Sequence, residues 1–112
     1  MEYKVHFSNN ANKQYQKLIS SGRTQLFNKT KETIKKLQNK IFTPSMTAHP
    51  LKGDKKGLWD VHVKGNFVIT YKYNEVNKLL IINSIGNHEE SDLESYNDFT
   101  REEKQFFLKY VI

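Results

Sequence analysis

Cysteine is absent from these 112 residues. No disulfide framework can form, no thiolate can ligate a metal, and a reducing cytoplasm is the expected compartment. Arginine is scarce, with only Arg23 and Arg101. Any phosphate-handling site must then rely mainly on lysine, a point charge without arginine's bidentate fork. The longest aliphatic run is Leu79-Leu80-Ile81-Ile82, far short of the roughly 20 residues that span a bilayer. The N-terminal stretch MEYKVHFSNN has no apolar core of a signal peptide, so no membrane partner is expected. Internal repeats, low-complexity tracts and linkers are missing. So are a Gly-rich phosphate loop, a nucleophile elbow and a dinucleotide fingerprint. The histidines show no HxH or HxxxH spacing, and neither a metal nor a cofactor is expected.

Positive charge is abundant. The net charge is +6, but residues 1–80 hold 15 Lys/Arg and 5 Asp/Glu, giving +10, while residues 81–112 hold 3 and 7, giving −4. A body this basic suits a polyanionic partner whose affinity falls as salt rises. A solvated lysine surface is the plainer reading of the same charge.

The length fits one domain, residues 1–112, with enough chain to bury its own core. Tyr3-Lys4-Val5-His6-Phe7 alternates as an edge strand, with His6 in a structural role. Ser8 caps a helix running to about Ser20, and Ser21-Gly22 breaks it. A second helix runs from about Thr24 to Lys40, completing a helical hairpin. Pro44 and Pro50 bracket a loop. Strands follow at Gly57–Val63, Phe67–Tyr73 and Lys78–Ser84, joined by hairpin turns. The fold class is α+β, a helical hairpin on an antiparallel meander. Its expected core is Leu18, Leu26, Ile34, Leu37, Trp59, Val61 and Ile69. An acidic segment begins at Glu89, and Thr100-Arg101-Glu102-Glu103 opens a last helix with capping-box spacing. Together they occupy residues 89–112.

The stretch from His49 to His88 concentrates the chemistry. It holds His49, His62 and His88, with Lys52, Lys55, Lys56, Lys64 and Lys72 between them. Histidine exchanges protons near neutral pH and lysine holds phosphate. Strand alternation sends Trp59, Val61 and Val63 to the core and Leu58, Asp60, His62 and Lys64 to an open face. A sheet edge carrying these groups is what a metal-free ribonuclease needs.

The ordered pieces are His49-Pro50-Leu51-Lys52-Gly53, Gly57-Leu58-Trp59-Asp60-Val61-His62-Val63, Phe67-Val68-Ile69-Thr70-Tyr71-Lys72 and Gly86-Asn87-His88. Across roughly residues 1–93 they resemble the RelE/ParE superfamily of toxins from bacterial toxin–antitoxin pairs, and most closely its YafQ-type branch. The resemblance implies a two-helix hairpin on a small antiparallel sheet. It implies cleavage of mRNA in the ribosomal decoding site, blocked by a cognate antitoxin, with operator DNA reached only through that antitoxin. It places His49, His62 and His88 in the active site, with Asn66, Phe67, Tyr71 and Ser84 as supporting positions. His62 and His88 are the expected acid–base pair and His49 a third contributor.

Three positions depart from the family pattern. Asn66-Phe67 stands where the family has an acid–aromatic pair, Ser84 where it has an arginine, and Asp92 where it has an aromatic. Lys52, Lys64 or Lys72 would then take over the missing guanidinium's role. Two other functions compete: a ParE-like topoisomerase poison, and a silent relative that only binds antitoxin or nucleic acid.

Overall fold

The computed structural model describes residues 2–87. In chain order the elements are β1 (Lys4–Phe7), α1 (Asn9–Ser20), α2 (Thr24–Gln38), β2 (His49–Pro50), β3 (Trp59–Lys64), β4 (Phe67–Asn74) and β5 (Leu79–Asn87). One five-stranded sheet results, ordered β1-β5-β4-β3-β2. Strands β2 to β5 pair antiparallel, and β1 pairs parallel with β5. The acidic segment and the last helix expected over residues 89–112 lie outside the described residues. Among the described residues no helix is long and apolar enough to cross a membrane.

The α1 boundary follows from one side chain. Ser8 Oγ accepts from the Ala11 amide at 2.9 Å and donates to the Asn83 carbonyl at 2.8 Å. A single hydroxyl thus caps the helix and ties it to β5. Gly22, at φ +75°, takes the left-handed turn that separates the helices. The hairpin lays Ala11, Leu18, Leu26, Ile34 and Leu37 on a sheet face formed by Val61, Val63, Ile69, Tyr71, Leu80, Ile82 and Ile85. Leu37, Ile69 and Leu80 are fully buried, each contributing about 1.5–3 kcal/mol of transfer free energy. In β5 the register slips. Thr70 opposes Ser84 while Tyr71 opposes Ile82, leaving Asn83 as the extra residue. The bulge lets Ile82 and Ile85 both face the helices while Ser84 faces away.

The alternation of β3 holds, but burial differs from expectation. Trp59, expected in the core, is 43% exposed. It starts the strand, where the helices stop covering the sheet. There it walls a cavity of about 360 Å³ with Phe42, Tyr71, Tyr73 and Lys40. Leu58 and Asp60, expected on an open face, are both buried. Asp60 sits between His49 on β2 and Thr70 on β4. The two-residue strand β2, which lies within the expected loop, encloses that position from the side.

Candidate functional site

The register lines up functional groups in rows on the sheet face turned from the helices. One row runs His49, Asp60, Thr70, Ser84 across β2 to β5, and the next runs His62, Val68, Gly86 across β3 to β5. Directly paired residues share a face. His49 and His62 therefore meet, with ring centroids 6.3 Å apart. His49 Nε2 stands 3.7 Å from Asp60 Oδ2. The imidazole is 41% exposed and the carboxylate is fully buried. His49 thus reaches solvent from beside a buried carboxyl group.

His62 is oriented from the turn that follows it. Its Nδ1 lies 3.0 Å from the Gly65 carbonyl oxygen. A carbonyl can only accept, so in the neutral ring Nδ1 carries the proton and Nε2 keeps the lone pair. Gly65 adopts φ +54°, which brings its carbonyl back to the ring. Thr70 and Ser84 complete the first row. Both are fully buried, and their hydroxyl oxygens have no hydrogen-bond partner among the described residues.

The lysines divide into two groups. Lys52, Lys55 and Lys56 surround the single 3₁₀ turn Gly53–Lys55 between β2 and β3, and Lys52 and Lys56 are exposed. Lys64 is exposed at the end of β3. Lys72 is half-buried on β4, and burial lowers its pKa. Lys72 shares a row with Ile81 and His6, and burial likewise lowers the His6 pKa. Tyr71 points to the helix side and belongs to the core. Burial first, and the Asp60 charge second, raise its phenol above the ordinary tyrosine range. Phe67 packs partly against the core, and Asn66 is exposed beside it. His88 lies outside the described residues. No group of three His, Cys, Asp or Glu among the described residues could hold a metal ion.

Sequence reasoning placed His49 and His62 near each other but left Asp60 out of the site. The signal was the position of Asp60, two residues before His62. Reading it required the β2–β3 register, which a two-residue strand does not announce.

The family model for the bacterial toxin of type II toxin–antitoxin systems, YafQ, matches residues 3–93. Among curated proteins, none matches the chain in sequence. Among solved structures, the E. coli DinJ–YafQ toxin–antitoxin complex is similar at 27% identity and TM-score 0.64, covering 79% of this chain and 94% of that one. A copper-bound mutant toxin from Helicobacter pylori is similar at 27% identity and TM-score 0.66, covering 79% and 97%. The YoeB/ParE toxin from Agrobacterium tumefaciens shares the fold at 18% identity and TM-score 0.67, covering 76% and 98%. With the helical hairpin, the meander and the paired histidines all inside the matched span, the chain belongs to the YafQ family of bacterial toxins of type II toxin–antitoxin systems.

Proposed function

We propose that this chain is a ribosome-dependent, metal-independent mRNA endoribonuclease, restrained by a cognate antitoxin. The observation that carries the reading is the pair His49 and His62, 6.3 Å apart on one sheet face beside the buried Asp60. The antitoxin reading is supported by the E. coli relative, which was solved as a complex of YafQ with DinJ. Operator DNA would be contacted through the antitoxin rather than by the toxin itself.

The chemistry requires two proton transfers. A base takes the proton of the ribose 2′-OH as O2′ bonds to the adjacent phosphorus. The bond from phosphorus to O5′ breaks, and an acid protonates the departing oxygen. The products carry a 2′,3′-cyclic phosphate and a 5′-hydroxyl. His62, with Nδ1–H held by Gly65, presents Nε2 for one of these transfers. His49, once protonated, has Asp60 as its counter-charge. His88 joins them as the remaining member of the acid–base set. Lysines stabilise the charge that develops on the phosphorane.

The test is primer extension on translated message after induced expression, with His49→Ala, His62→Ala and His88→Ala alongside the parent. One acid–base group contributes on the order of 10²–10⁴-fold, so losses of tenfold or more are expected for His62 and His88. Folded variants that cleave at the parental rate would end the histidine mechanism. Arrested replication with intact message would point instead to a topoisomerase target.

A further inference from the structure

A cleft of about 590 Å³ separates the helical hairpin from the β3–β4 turn. The α1–α2 loop forms one wall with Arg23. Lys64, Asn66 and Phe67 form the other, and Asn87, the register partner of Phe67 on β5, closes it. Arg23 and Lys64 are exposed. Among the described residues neither has an ion-pair partner, and no acidic side chain lines the cleft. Two cations therefore face one opening without an acidic neighbour among the described residues, which favours an anionic ligand.

Phe67 narrows the class of anion. Its ring is half-buried and packs against the core cluster, so it is a rigid aromatic face rather than a loose side chain. Cations beside a fixed aromatic platform hold single-stranded nucleic acid, phosphates on the charges and a base on the ring. Asn66 and Asn87 add amides that can donate to or accept from a base edge. An acidic peptide would use the cations and leave the ring and amides without partners of their own.

The cleft is also joined mechanically to the histidine row. The turn that supplies Lys64 and Asn66 contains Gly65, whose carbonyl holds the His62 ring. The histidine row and the cleft lie on opposite faces of the sheet, so a strand that crosses the β3–β4 turn from His62 would enter the cleft on the helix side.

We propose that this cleft is a nucleotide subsite of the RNA site, in which Arg23 holds a backbone phosphate and Phe67 stacks a neighbouring base. The proposal rests on the nuclease reading above. The α1–α2 loop is then a wall of the substrate site and not only a connection between helices.

The experiment measures binding apart from cleavage. A fluorescein-labelled 2′-O-methyl hexaribonucleotide, which cannot be cut, is titrated with the full chain by anisotropy at several salt concentrations. Arg23→Ala and Lys64→Ala should each weaken binding about tenfold and each reduce the log–log salt slope by about 0.7, the single-strand contribution of one neutralised phosphate. Phe67→Leu should weaken binding by a similar factor and leave the slope unchanged. Thermal melts confirm that each variant is folded. Parental affinity and slope in both cation variants would overturn the subsite, as would no binding by the parent. A glutamate-rich peptide that binds as tightly, and with the same dependence on Phe67, would assign the cleft to acidic protein instead. Cleavage on programmed ribosomes separates the two readings. Cutting that persists while Arg23→Ala binds normally removes the subsite alone. Arg23-dependent binding without any cutting removes the nuclease alone.

Discussion

Trp59 and Asp60 are adjacent on β3, yet the indole meets solvent and the carboxylate is fully buried. The helices cover Val61 and Val63 but stop short of Trp59, while β2 and β4 flank Asp60 on both sides. A buried carboxylate is costly unless something compensates it. Here His49 stands 3.7 Å away at the solvent side, which ties the burial of Asp60 to the site. The contrast has a consequence for stability. Truncating a buried aromatic typically costs about 3–5 kcal/mol, and Leu→Ala at a buried site about 2–5 kcal/mol. Leu37→Ala should fall in the latter range, and Trp59→Ala should cost clearly less than Leu37→Ala. Urea unfolding of the two variants decides this, and the reverse order would mean that Trp59 stabilises the fold as a core residue does.

At the scale of elements, one cluster ties the start of β1, the end of α2 and the β4–β5 turn together. Glu75 accepts from Tyr3 Oη at 2.7 Å and from Lys40 Nζ at 2.8 Å, with Lys78 Nζ at 3.5 Å. Lys40 also lies over the Tyr3 and Tyr73 rings at 5.2 and 4.9 Å. The Lys40 hydrogen bond first, and that of Tyr3 second, hold the Glu75 carboxyl down to about 2 from its ordinary 4.5. A carboxyl whose pKa is lower in the folded state stabilises fully above its ordinary pKa and loses that stabilisation as pH falls. The window here runs from about pH 4.5 down to about 2. Glu75→Gln should therefore flatten the acid side of a stability-against-pH curve and leave its shape near neutrality unchanged. Thermal melts across that range provide the measurement, and an unaltered acid limb would show that the cluster is not coupled to folding.

Over the whole molecule, charge is segregated along the chain, +10 through residue 80 and −4 after it. Exposed cations stand at both ends of β3. Lys52 and Lys56 sit at the β2–β3 turn, and Lys64 and Arg23 at the cleft. The histidine row lies on the strands that join these ends. A polyanion following Lys52, Lys56 and Lys64 along β3 would pass His62. Replacing Lys52, Lys55 and Lys56 together with alanine should weaken binding to programmed ribosomes. It should also reduce the salt slope by about 0.7–0.9 for each phosphate that these lysines neutralise. Filter binding at graded salt reads the slope, and an unchanged value would remove this turn from the polyanion path.

Much of this protein was legible without coordinates. Helical and strand periodicity are local properties, so Ser8 as a cap, the break at Gly22 and the three meander strands could be read from neighbouring residues. Alternation likewise put His62 on the face opposite Val61. Composition alone ruled out disulfides. Quantities that depend on distant partners were not legible. Burial of Trp59 depends on how far α2 reaches, and burial of Asp60 depends on a two-residue strand with no periodicity of its own. The approach of His49 to Asp60 depends on the β2–β3 register, and the turn of Ser84 away from the helices depends on a bulge at Asn83. Arg23 carried no signal, because a loop arginine far from Lys64 in sequence joins it only when the hairpin folds back onto the sheet. Sequence determined which elements form and which chemistry they carry, since both follow from local side-chain preference. Tertiary structure decided which groups face one another, since that follows from packing between segments far apart in the chain.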